Sequence, residues 1–144
     1  MKTVRDMLLG KKEIGILSIA PDATVFSAIK LMSEKNVGAL PVLDGEQLVG
    51  MLSERDYARK VILEGRSSRE TLVRDIMTAK VMFIKPENNN EECMALMTEK
   101  FLRHLPVIDN GRVIGMISIG DVVKATISEQ KFTIDNLQSY IMQG

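Results

Sequence analysis

Apolar and polar positions along this chain change period in a fixed order, and the order is run through twice. In residues 22–35, Val25, Ala28, Ile29 and Met32 fall at helical spacing behind the start signal Pro21-Asp22, which predicts an amphipathic helix. Residues 39–43 and 47–52 are short β-rich runs on either side of Asp44-Gly45-Glu46, the pattern of an antiparallel hairpin. Ser53 opens a second helix that should run to about residue 63, stopped near Gly65 and the polar stretch 66–69. The second pass predicts a strand at 81–84, a helix at 89–100, strands at 105–108 and 112–117 around Asp109-Asn110-Gly111, and a helix from 118 to about 128.

The two passes are a sequence repeat: residues 21–56 overlay residues 86–121 at a constant shift of 65. Pro21 meets Pro86, Leu31-Met32 meets Leu96-Met97, Leu40-Pro41-Val42 meets Leu105-Pro106-Val107, Gly50-Met51 meets Gly115-Met116, Ser53 meets Ser118 and Asp56 meets Asp121. Upstream, Val4-Arg5-Asp6 matches Val73-Arg74-Asp75 at a shift of 69. A short N-terminal helix is therefore expected, followed by roughly four extra residues within 10–15 that read as a longer surface loop. The predicted organisation is one repeat in residues 1–68, a second in 69–128, and a tail in 129–144 whose Ile134, Leu137, Tyr140 and Ile141 suit a further amphipathic helix. The fold class is α+β, built from β-α-β-β-α units. At about 60 residues a unit cannot bury a three-stranded sheet alone, so the two should pack about a pseudo-twofold axis.

Composition narrows the function. The 144 residues are 45% hydrophobic and 26% charged, ordinary for a folded domain, and the 19 basic and 19 acidic residues leave no broad cationic face for nucleic acid. Cys93 is the only cysteine, so there is no intramolecular disulfide and no Cys/His metal set, and a reducing compartment is expected. The apolar start of the chain is broken by Gly10, Lys11 and Lys12, unlike a signal peptide, and no run approaches the roughly 20 apolar residues of a membrane span. The expected location is the cytoplasm. No glycine-rich Walker loop, HExxH, carboxylate metal cluster or nucleophile with a paired base is present, so neither a catalytic site nor a metal is expected. Met32, Met51, Met97 and Met116 recur at matched positions and read as core filling, and Cys93 as a small buried residue.

The doubled pattern VGALPV…VGMLSERD and LRHLPV…IGMISIGD resembles CBS domains, which occur in pairs called Bateman modules. The likeness covers roughly residues 4–128 and is that of a stand-alone pair of bacterial or archaeal type. It implies that adenosine-containing ligands (AMP first, or ADP, ATP, NAD or S-adenosylmethionine) bind in two clefts between the repeats, without a metal. It also implies that two such pairs associate, here as a homodimer.

Two readings of Ser-x-x-Asp stay open. It is close to a helix capping box, and in this family likeness it is also a ligand hook. On the second reading Asp56 and Asp121 accept from the ribose hydroxyls, because an ionised carboxylate is an acceptor on both oxygens. Ser53 and Ser118, at helix starts, suit a phosphate. Asp56 is expected to face Ile84-Lys85-Pro86 and Leu102-Arg103-His104-Leu105 of the other repeat, with Arg55, Arg103 and His104 neutralising phosphate. For these cations the plainer alternatives are a solvated face and a surface histidine. Asp121, Ser118 and Gly120 are expected to face Ile19-Ala20 and Val37-Gly38-Ala39-Leu40, an apolar pocket with few charges. The function that follows is a regulatory module that senses an adenine nucleotide or cofactor and signals to a regulated protein. The alternatives are a ligand-independent dimerisation adaptor and a nucleotide-consuming enzyme.

Overall fold

The computed structural model describes residues 2–11 and 16–143. The chain folds into two compact units. One draws on residues 16–82 with 111–113, the other on residues 1–15, 83–110 and 114–144.

In the first of these, helix α2 (Val25–Lys35) is capped by Thr24, whose hydroxyl accepts from the Ser27 amide, so the start signal lies slightly beyond Pro21-Asp22. The helix ends on Asn36 in the left-handed region (φ 55°), and the chain enters the hairpin of β1 (Ala39–Asp44) and β2 (Gln47–Ser53). Ala39 pairs with Ser53 and Val42 with Gly50, and a bulge between Val42 and Leu43 then shifts the register. The expected third strand is a single parallel bridge from Ile19 to Val42, and Met51 and Thr78 exchange two 2.9 Å backbone bonds on the other edge. The core contains Val25, Ala28, Met32, Leu40, Val42, Leu52 and Val61.

The other unit repeats this plan. Helix α5 (Asn90–Lys100) is capped by Asn89, ends on Phe101 at φ 56°, and leads into β3 (His104–Asp109) and β4 (Arg112–Ser118). The turn has Asn110 at φ 52° and Gly111 at φ 77°, the two positive values that a type I′ turn requires. Ile84 bridges to Val107 as Ile19 does to Val42, so here too the predicted first strand reduces to one bridge. Cys93, Met97, Leu105, Val107 and Ile117 are buried where the first unit has Ala28, Met32, Leu40, Val42 and Leu52. The core role expected for the methionines holds for Met32 and Met97, whereas Met51 and Met116 are half-buried.

The opening segments are exchanged. Helix α1 (Val4–Leu9) precedes the first repeat but packs in the second unit, where the Val4 amide donates to Asn88 O at 2.7 Å and Arg5 to Pro86 O at 3.0 Å. Helix α4 (Val73–Ile76) precedes the second repeat but packs in the first, with Val73 donating to Ala23 O and Arg74 to Pro21 O, both at 2.9 Å. Burial of Val4 and Met7 in one core matches that of Val73 and Ile76 in the other. The exchange explains a glycine that recurs at the matched position of both repeats: Leu8 lies on Gly115, and Met77 lies on Gly50. The loop expected at residues 10–15 falls, from residue 12 on, outside the described residues.

Two helices differ from expectation. After β2 the chain makes one α-helical turn, α3 (Glu54–Tyr57), and then a π-helical segment (Ala58–Ile62) instead of a regular helix. After β4 there is one helix, α6 (Ile119–Gln143), where a helix and a separate tail were expected. No glycine or proline lies between Gly120 and Gly144 to stop it. All of residues 130–142 are exposed.

Candidate functional site

Each repeat delivers a serine and an aspartate to the first turn after its hairpin, because β2 and β4 end where the backbone must bend to start a helix. The capping reading is met at both. Ser53 Oγ accepts from the Asp56 amide at 3.2 Å, and Asp56 Oδ2 accepts from Ser53 N at 2.9 Å and from Ser53 Oγ at 3.1 Å. Ser118 Oγ accepts from the Asp121 amide at 3.2 Å, and Asp121 Oδ2 accepts from Ser118 N at 2.8 Å. The same loop closes over each turn: the Glu54 amide donates to Gly38 O at 3.0 Å, and the Ile119 amide donates to Arg103 O at 2.8 Å. A capping bond does not exhaust a carboxylate, since four lone-pair directions are available on its two oxygens.

The surroundings of the two hooks differ. Lys60, one helical turn on, places its Nζ 3.4 Å from Asp56 Oδ1 and donates to Ile76 O at 2.9 Å. Beside this hook, Ile29, Met32, Ser33, Asn36, Val37, Gly38, Glu54 and Tyr57 line an open cavity of about 510 Å³, a ligand-sized volume. Val37 and Gly38, expected to face Asp121, line this cavity beside their own repeat's turn, and its α3 residues are Glu54 and Tyr57, on the neighbouring face of the turn from Ser53 and Asp56. Arg55 is exposed.

At Asp121 a lysine and a histidine come together. Lys11 Nζ donates to Asp121 Oδ2 at 2.9 Å and to Met116 O at 2.7 Å. His104 is half-buried, and burial first, then the charge of Lys11, hold its pKa below the usual histidine value; Asp121 opposes the shift and Arg103 adds to it. For Asp121 burial pushes the pKa up, but the Ser118 amide and the bond and charge of Lys11 outweigh it and leave the carboxyl below its ordinary value. Within its own unit His104 thus lies close to Lys11 and Asp121, in surroundings expected to carry few charges, while Arg103, expected with His104 at the Asp56 hook, is exposed. Lys11 was not singled out at all.

The remaining candidates fall into three groups. Leu40, Leu105, Ala39 and Ile84 are buried in the cores, while Ile19 and Leu102 are half-buried and Ala20, Lys85 and Gly120 are exposed. Among the described residues no group of three His, Cys, Asp or Glu side chains is placed to hold a metal, and no helix is long and apolar enough to cross a membrane.

Comparison with known proteins agrees with this geometry. The CBS domain model matches twice, at residues 12–63 and 73–128. The mitochondrial CBS domain-containing protein CBSX3 of Arabidopsis thaliana is 48% identical over 128 residues, covering 85% of this chain, which spans 62% of the length of that relative. The structure of a protein with CBS domains from Burkholderia ambifaria MC40-6 superposes with a TM-score of 0.86 at 51% identity, covering 90% of this chain and 96% of that one. The CBS domain pair of protein MJ0100, solved in complex with 5′-methylthioadenosine and S-adenosylmethionine, has the same fold, with a TM-score of 0.74 at 20% identity over 89% of this chain and 98% of that one. Two hairpins, each followed by a capped Ser-x-x-Asp turn, and two matches to one family model lead to a single assignment: the chain belongs to the CBS-domain family and carries its domains as a tandem pair.

Proposed function

We propose that this pair is a regulatory, non-catalytic module that binds an adenosine-containing ligand, AMP before ADP, ATP, NAD or S-adenosylmethionine, and signals its presence to a regulated protein in a reducing compartment such as the cytoplasm. What carries this reading is the company of Asp121. Its Oδ2 is held by the Ser118 amide and Lys11, which leaves Oδ1 for ribose hydroxyls, while the helix start at Ser118, Lys11 and Arg103 supply positive potential for a phosphate and His104, its pKa lowered, a neutral hydrogen-bond donor. The complex of the distant MJ0100 pair with two adenosine compounds supports the ligand class. Asp56 and Ser53, with Lys60 in place of Lys11, form the second and less cationic hook. Calorimetric titration with the five compounds tests the reading. AMP should bind, and Asp121→Ala should weaken it about tenfold to a hundredfold. No binding of any compound at millimolar concentration would overturn it.

The exposed face of α6 favours a homodimer, and with it a part for dimerisation that needs no ligand. Ile127, Ile134 and Ile141 recur at intervals of seven, with Val123 and Leu137 at the intervening coiled-coil positions, and their exposures run from 45% to 74%. Together they offer on the order of 500 Å² of apolar surface per copy, or about 1,000 Å² in a pair, the size a specific interface needs. The stripe is self-complementary, so its proposed occupant is the same helix of a second copy. Light scattering should give a dimer that Ile134→Glu with Leu137→Glu splits; a monomeric native chain refutes the assignment.

A further inference from the structure

We infer that Lys11 is a specificity-determining residue that changes partner on ligand binding: it holds Asp121 in the ligand-free state and turns to the phosphate when a nucleotide enters. This deepens the proposed function and rests on it. The Lys11 ammonium sits on the oxygen of Asp121 that also accepts the Ser118 amide, and its second bond, to Met116 O, ties it to the end of β4. The pair is partly withdrawn from water, with 35% of the Lys11 side chain and 19% of the Asp121 side chain exposed. An ion pair in that setting is weakly screened and is not given up without a substitute.

A nucleoside offers the hook only hydroxyls. They can bond Oδ1 and draw on the carboxylate that Lys11 shares through Oδ2, but they offer the ammonium no negative charge in return. A nucleotide brings a phosphate to the same helix start and can take over the ammonium as the ribose takes over the carboxylate, so both charges stay paired. Lys11 thus makes the site favour phosphorylated ligands over the same ligand without its phosphate. The lysine also lies two residues beyond α1, which is anchored by the Val4 and Arg5 amides and by Leu8 on Gly115. Its change of partner therefore acts on the one stretch of chain that joins α1 to the first repeat.

The test compares adenosine with AMP by calorimetry in the native chain, Lys11→Met and Lys11→Arg. Methionine keeps most of the apolar stem and removes the charge, while arginine keeps the charge. The native chain and Lys11→Arg should both prefer AMP. In Lys11→Met that preference should fall about tenfold or more, by weaker AMP binding, stronger adenosine binding, or both. A parallel thermal melt should show Lys11→Met folded, and the unperturbed AMP-to-adenosine ratio in that folded variant would refute the role of Lys11 while leaving the proposed function intact. Failure of the native chain to bind either compound overturns both.

Discussion

Gly115→Ala probes the exchange of opening segments directly. A Cβ built on Gly115 would stand 2.6 Å from Leu8 Cδ2 and 3.2 Å from Leu8 Cδ1, well inside contact distance. In open space the same substitution would reduce the entropy of the unfolded chain and stabilise by about 0.4–1 kcal/mol. The overlap reverses the sign. Because all three nearest atoms belong to the Leu8 side chain, which can swing away, the cost should be about 1–2 kcal/mol, the lower part of the overpacking range. Gly50→Ala is the internal comparison: its Cβ would meet Met77 Sδ at 2.5 Å and also the Thr78 carbonyl oxygen at 3.1 Å, and that backbone atom is fixed in the bridge to Met51. It should cost more, about 2–3 kcal/mol. Urea unfolding followed by circular dichroism measures both, and Leu8→Ala closes a double-mutant cycle with Gly115→Ala. The coupling should be about 1–2 kcal/mol, with Gly115→Ala nearly neutral when Leu8 has been cut back. A neutral Gly115→Ala in the native background, or a cost that Leu8→Ala fails to relieve, would falsify the contact.

Three further outcomes are expected. Phe101 closes α5 at φ 56° with 83% of its surface exposed, so Phe101→Asn, the residue at the matching position 36, should raise stability by about 0.5–1 kcal/mol in the same urea assay. Burial, helped by the charge of Glu92, pushes the Cys93 thiol up to about 11, so iodoacetamide at pH 8 should modify it only as fast as the protein opens; rapid labelling of the native chain would contradict its place in the core. His104 is the sole histidine, so one proton resonance reports it, and that signal should titrate below 6.5 and move upward in Lys11→Met. Its folded pKa is lowered, so its stabilising contribution is complete above the unfolded value of about 6.5 and is lost as pH falls from there through the folded value.

Much of each unit was legible in the sequence because the repeat aligns residues with equivalent neighbours. The shift of 65 placed the hairpins, both long helices and the buried pairs Met32 with Met97 and Leu40 with Leu105. What it could not supply was the partner of a segment that belongs to one repeat in sequence and the other in space. The only trace of the exchange was that Val4-Arg5-Asp6 matched at 69, not 65. Lys11 was missed for the same reason: the residue it pairs with lies 110 positions away, and nothing local marks the ammonium as anything but a loop charge. Arg103 and His104 were visible as candidates, but the approach of Lys11 and Asp121 to His104 was not, because Lys11 is distant from both in the chain. The single long α6 was obscured by Gln130, which interrupts the apolar stripe without breaking the helix.

The exchange also sets an order on folding during synthesis. Residues 16–82 form a nearly continuous stretch that includes its own fastening helix α4, so this unit is almost complete once residue 82 has emerged. The other unit is assembled from both ends of the chain, and α1, made first, finds its seat only after Pro86, Asn88 and Gly115 have been added. At roughly 5–20 residues per second, α1 waits about 5–20 seconds with Val4 and Met7 uncovered. A cut in the polypeptide at the boundary between the repeats, near residue 68, would leave each half carrying the fastener of the other. The half-chains should therefore be far more soluble when made together than when either is made alone.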